Sequence, residues 1–154
     1  MEIDEREREK WIILLQGVKF FEGFDAEDVS QLLGAGKVRH YKFHEYVVKE
    51  REVDFSFFVI LKGSVKLLKM AAMNKKKEVG KLGEGDCFGE MGLLLKTQRT
   101  ASVLTAEECF IFKINVQDIE MMSLQTQAKL YKRFAEFLAE RLKSTTENMV
   151  RPLY

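Results

Sequence analysis

The chain has 154 residues, 46% of them hydrophobic and 32% charged, with ten Gly and a single Pro; this is the make-up of a globular domain with one core, and it excludes a disordered tail, a fibre and a membrane bundle. Its 25 Lys and Arg stand against 24 Asp and Glu, a net charge of +1, so no global field draws it to nucleic acid or to an anionic membrane and partners must be recognised locally. Two cysteines, Cys87 and Cys109, are too few for a disulfide framework, and the apolar run 11–15 is too short for a signal sequence or a span, so the expectation is one cytoplasmic domain over residues 1–154.

In chain order, Trp11, Leu14, Leu15 and Val18 follow the i, i+3, i+4, i+7 rule and predict an amphipathic helix whose charged beginning faces water. Asp25 with Asp28 three positions on announces a second short helix, closed by Gly34 and Gly36. From residue 37 the pattern turns to short runs rich in Val, Ile, Phe and Tyr, at 38–43, 46–48, 56–61, 65–70, 78–82, 101–105 and 110–114. Polar turns divide them, and together they predict an antiparallel jelly-roll β-barrel. A helical period interrupts once, at 91–95. Further on, Leu130, Phe134, Phe137, Leu138, Leu142 and Met149 trace one face of a long helix that Pro152 ends. The fold class is therefore mainly β with flanking helices: N-terminal helices over 1–36, a barrel over 37–115 and C-terminal helices over 116–151. No DNA-binding domain and no membrane contact is expected in this chain.

The segment that carries chemistry is 85–103, GDCFGEMGLLLKTQRTASV. Gly85, Gly89 and Gly92 let the backbone turn tightly and approach a ligand, and a short helix opening near Glu90 presents free N–H groups suited to an anion. An ionised carboxylate only accepts hydrogen bonds, so Glu90 suits a ligand with hydroxyl donors, and Arg99, nine positions on, offers a planar fork for a phosphate. On chemistry alone, a surface ion pair between Glu90 and Arg99 with glycines that merely make turns is the equal alternative. His40 and His44 lie at a strand and the turn after it without an acidic or Cys partner nearby, and are read as packing or surface residues rather than metal ligands. Cys87 is read as a small buried hydrophobe, and Lys75, Lys76 and Lys77 as a solvated hairpin tip.

The run FGEMGLLLKTQRTASV resembles the phosphate-binding cassette of the cyclic-nucleotide-binding domain, with its pattern F-G-E-[LM]-[AG]-L, a short spacer and R-[STA]-A-x-V. LKGSVKLLK at 61–69 is similar to the family's glycine-centred strand pair. RFAEFLAERLKSTTENM resembles the dimer helix of the catabolite activator protein-like branch of this family, which also takes in the regulatory subunits of cAMP-dependent protein kinase. The resemblance implies a non-enzymatic regulatory module that binds a cyclic purine mononucleotide, cAMP in the first place and cGMP as the alternative, with no cofactor and no metal. It implies ligand contacts from Phe88, Gly89, Glu90, Met91, Gly92, Arg99, Thr100 and Ala101, and contacts to the base from Thr145 and Thr146, with a partner subunit as one source. It further implies a homodimer through the C-terminal helix and control of a downstream effector protein. The alternative from another class is a structural dimerisation or adaptor domain with a vestigial pocket. The chain departs from the family pattern at 43–45 and 50–52, where glycines are usual, and at Lys96 and Gln98, which replace a common Gly and Pro.

Overall fold

The computed structural model describes residues 5–150, with side chains over 6–147. The N-terminal helix α1 (Glu5–Gln16) buries Trp11 and Leu15, and a 3₁₀ turn at Lys19–Phe21 leads to α2 (Ala26–Ala35). The Asp25/Asp28 spacing forms a reciprocal cap: Asp25 Oδ1 accepts from the Asp28 N–H at 2.8 Å, and Asp28 Oδ2 accepts from the Asp25 N–H at 3.0 Å. Eight strands follow among the described residues: β1 (Lys37–Tyr41), β2 (Tyr46–Val48), β3 (Ser56–Lys62), β4 (Val65–Met70), β5 (Lys76–Leu82), β6 (Cys87–Phe88), β7 (Ser102–Thr105) and β8 (Cys109–Asn115). The helix α3 (Glu90–Leu95) interrupts them between β6 and β7, and α4 (Val116–Glu120) and α5 (Leu124–Val150) close the chain.

The strands form two antiparallel sheets, ordered β1-β8-β3-β6 and β2-β7-β4-β5, as the jelly-roll expectation requires. Val48, Phe58, Ile60, Val65, Phe88, Val103, Cys109 and Ile111 fill the space between them. The outer face of the first sheet carries Val38, Phe57, Val59, Leu61, Phe112 and Ile114 beneath a layer of helices. β3 is therefore covered on both sides, which explains why its sequence, FFVIL, runs apolar without alternation. The short β6 escapes a reading by periodicity because two residues cannot show a period. β5 begins earlier than its apolar run, at Lys76, because an exposed sheet edge tolerates lysines.

The long C-terminal helix covers its own domain first. Leu130 and Phe134 are fully buried, with the Phe134 ring 5.3 Å from Phe20 and 4.8 Å from Phe57. Leu138 is half-buried and Leu142 is exposed. Met149 falls beyond the side chains described, and Pro152 lies outside the described residues. Polar bolts fix the first half of α5: Thr126 donates to Asp28 Oδ1 at 2.8 Å, Lys129 to Asp28 Oδ2 at 2.6 Å, and Arg133 to the Phe20 carbonyl at 2.6 Å. Burial works to raise the Asp28 carboxyl, but the bonds from Lys129, the Asp25 N–H and Thr126 outweigh it and hold the group below its ordinary value.

The departures from the family's glycines have a backbone counterpart. His44, Arg51 and Lys96 all adopt left-handed conformations, with φ of 65°, 73° and 55°. Lys96 is the residue that closes α3, a position where glycine fits without steric cost. Lys96→Gly is therefore expected to raise stability by about 1 kcal/mol in a urea titration; a loss of stability would show that the Lys96 side chain makes a compensating contact.

Candidate ligand-binding site

A cavity of about 400 Å³ opens between α3, the loop that follows it and the sheet containing β4 and β7, within the size range of small-molecule sites. Val48, Leu67, Leu82 and Val103 form its apolar wall, and the turn from Asp86 to Gly92 forms its polar edge. Phe88, Gly89, Glu90, Met91, Gly92, Arg99, Thr100 and Ala101 all line it. The Phe88 ring also belongs to the core, stacked on Phe58 with centroids 4.7 Å apart.

Arg99 is held from three directions. Its backbone is clasped by the preceding loop, the N–H donating to the Glu52 carbonyl and the carbonyl accepting from the Arg51 N–H, both at 2.9 Å. Its Nη2 donates to the Ser56 carbonyl at 2.6 Å and lies 3.8 Å from Asp54 Oδ1. The guanidinium sits over the Phe58 ring at 5.5 Å and is only 7% exposed. Burial draws its pKa below the ordinary value, against the pull of Asp54, Glu90 and Glu52. Its Nε is buried and has no hydrogen-bond partner among the described residues.

The glycines make room for this cation. A Cβ on Gly89 would lie 2.5 Å from the Ser56 carbonyl oxygen and 2.6 Å from Arg99 Nη1, and one on Gly92 would lie 2.9 Å from Arg99 Nη1. Gly89 also has φ of 91°, which opens α3 sharply enough to bring the backbone over the guanidinium.

Glu90 is 3% exposed, yet its carboxylate does not pair with Arg99. Its partner is Arg141 of α5, whose Nη1 donates to Glu90 Oε1. Arg141 and Phe137 line the cavity from the helical side, with the Arg141 guanidinium over the Phe137 ring at 5.7 Å. The surface ion pair between Glu90 and Arg99 is thereby replaced by two buried groups with separate partners. Sequence reasoning misses Arg141, since 51 positions separate it from Glu90 and no local period joins them; in the sequence Phe137 shows only as part of the apolar stripe.

Thr145 and Thr146 lie one turn beyond Arg141, exposed and outside the cavity lining of the single chain. The Thr146 hydroxyl donates to the Leu142 carbonyl of its own helix at 2.8 Å. Cys87 is half-buried at the cavity border, and burial, followed by the Glu90 and Asp86 carboxylates, pushes its thiol far up. His40 stacks on Phe110 and lies 3.4 Å from Glu108. Among the described residues no group of three His, Cys, Asp or Glu could hold a metal ion, and no helix is long and apolar enough to cross a membrane.

The profile of the cyclic nucleotide-binding domain matches residues 38–125. The regulatory subunit of a cAMP-dependent protein kinase from Mycosarcoma maydis is 32% identical over 106 residues, 69% of this chain and 20% of the relative. A cGMP-dependent protein kinase from Toxoplasma gondii is 34% identical over 90 residues, 58% of this chain and 9% of that protein. The chain thus spans a fifth or less of the curated relatives it matches. Among solved structures, the regulatory subunit of a cAMP-independent protein kinase A from Trypanosoma cruzi, bound to guanosine, superposes with a TM-score of 0.68 at 26% identity, covering 91% of this chain and 52% of that one.

Proposed function

Since this chain belongs to the cyclic nucleotide-binding domain family, we propose that its cavity takes a cyclic purine mononucleotide and that occupancy is passed to α5 as movement, making it a regulatory module and not an enzyme. The observation that carries this reading is the pair of buried charges at the cavity edge: Arg99 packed under Gly89 and Gly92, and Glu90 tied to Arg141 of α5. Arg99 and the N–H groups of the Gly89–Gly92 turn take the cyclic phosphate, a charge-assisted contact inside a partly desolvated site. Glu90 accepts the ribose 2′-hydroxyl, and the Phe137 ring covers the base.

Regulation follows from Glu90 serving two partners. A ribose hydroxyl that engages the carboxylate alters its bond to Arg141, so ligand and α5 position become coupled. A ligand shifts the helix only by its differential affinity for the two positions, and couplings of about 1–3 kcal/mol are usual. cAMP is the first choice, on the relationship to the cAMP-dependent kinase subunit. The relationship to a cGMP-dependent kinase, and Thr100 directly after Arg99, keep cGMP as the second reading.

Self-association through α5 rests on less surface than the full apolar stripe, because Leu130 and Phe134 are already buried and, among its described members, Leu142 is the most open, at 68% exposure. In a homodimer, Thr145 and Thr146 of a second copy would supply the base contacts that the single chain does not bring to its cavity.

Titration calorimetry with cAMP, cGMP, guanosine and 2′-deoxy-cAMP tests the reading. Binding of a cyclic nucleotide, weakened about tenfold or more by loss of the 2′-hydroxyl, is expected. Glu90→Gln should bring cAMP and its 2′-deoxy analogue together. Heat from guanosine alone would remove the phosphate role of Arg99, and no heat from any of the four would favour the adaptor with a vestigial pocket.

A further inference from the structure

The end of the β4–β5 hairpin is built differently from the rest of the surface. Residues 69–77, KMAAMNKKK, carry four lysines and no acid, in a chain whose total charge is +1. Every residue from 69 to 79 is exposed. In the strand register Lys69 stands directly opposite Lys77, and Met70 opposite Lys76. Like charges facing each other across a strand pair oppose folding, so this density of cations is held against a local cost. None of these lysines forms a direct ion pair with a carboxylate among the described residues: Glu78 lies 3.9 Å from Lys81, farther down the strand, and Glu50 accepts from the Met70 backbone N–H at 2.9 Å. Lys49 adds a fifth cation at the base of the tip, its Nζ 5.6 Å from the Tyr46 ring that Lys76 also covers at 4.4 Å.

The apex between these lysines is apolar. Met73 is 89% exposed and Met70 48%, with Ala71 and Ala72 exposed between them. Met73 and Asn74 both take left-handed conformations, φ 64° and 58°, which hold Met73 outward at the turn.

We propose that this hairpin tip docks the domain on an anionic lipid bilayer surface, with Met70 and Met73 entering the interface and the lysines meeting the headgroup charge. The combination favours a bilayer over a nucleic acid: the aromatic ring beside these cations, Tyr46, is already taken up by Lys49 and Lys76, whereas the exposed, unbranched Met70 and Met73 ringed by lysines suit a charged interface. Leu67 lines the cavity and the apex lies several residues farther along the strand, roughly 10–20 Å at ~3.3 Å per residue, so docking leaves the cavity open to ligand.

The test is co-sedimentation of the full chain with vesicles of phosphatidylcholine alone and of phosphatidylcholine with phosphatidylserine at about 2:1. Binding only to the anionic vesicles is expected, falling about fivefold per lysine as Lys75, Lys76 and Lys77 are changed to Gln, and weakening steeply with salt. Met70→Ser with Met73→Ser should lower binding about tenfold while leaving the salt dependence in place. These positions are exposed, and unchanged circular dichroism will verify the fold of each variant. Equal binding to both vesicles, retention by the triple lysine variant, or tighter binding to a single-stranded oligonucleotide than to anionic vesicles would each overturn the proposal.

Discussion

Replacing Arg99 by Ala is expected to weaken binding of the cyclic nucleotide by about two orders of magnitude, since a hydrogen bond to a charged group contributes ~1.5–3 kcal/mol and a guanidinium offers two in parallel. The site amplifies the effect because the group is 7% exposed, so its contact is made in a partly desolvated setting. The same side chain supports the fold through its bond to the Ser56 carbonyl and its contact with Phe58, so Arg99→Ala also lowers the melting temperature. Arg99→Lys separates the two roles. It keeps the charge but loses the planar fork, and should bind with intermediate affinity. Calorimetry on folded samples of both variants is the measurement, and affinity within about threefold of the parent in both would move the phosphate away from Arg99.

Gly89→Ala is the second large effect, and it acts through the backbone. A side chain at φ 91° costs about 1–2 kcal/mol in conformation alone, before its Cβ meets the Ser56 carbonyl oxygen at 2.5 Å. The carbonyl belongs to β3 and cannot yield without disturbing the sheet, so the turn must open. A total loss of about 3 kcal/mol is expected, together with displacement of Arg99 and loss of nucleotide binding. Gly83→Ala is the control, because a Cβ there meets nothing within 4 Å; it should change stability by less than about 0.5 kcal/mol. Equal behaviour of the two variants in chemical denaturation would show that the turn at Gly89 is not constrained as described.

The local elements were legible because their signals are contiguous. The capping pair Asp25 and Asp28 forms the predicted reciprocal bonds, and the runs at 46–48 and 65–70 match β2 and β4. The cavity edge proposed to take the phosphate was legible for the same reason: Phe88 to Gly92 and Arg99 to Ala101 lie within one short segment, and all of them line the cavity. The far side was not. Likeness of one helix to another puts Thr145 and Thr146 at the base, whereas among the described residues of the single chain the α5 side chains that line the cavity are Phe137 and Arg141.

The sequence by itself determined the β-rich fold class, the two flanking helical regions and the Glu90–Arg99 segment, because turn chemistry, strand period and cassette spacing depend on residues close together in the chain. Only the tertiary structure decided which partner each buried charge takes and what covers the apolar stripe of α5. Glu90 and Arg99 look like natural partners nine positions apart, yet α3 directs them to Arg141 and Asp54. Leu130 and Phe134 look free to pair with a second copy, yet both are buried in the core of their own domain, Phe134 against Phe20 and Phe57. In both cases the competing contacts lie far apart in the chain, and the choice between them is made by the rigid packing of helix against sheet, which no local pattern encodes.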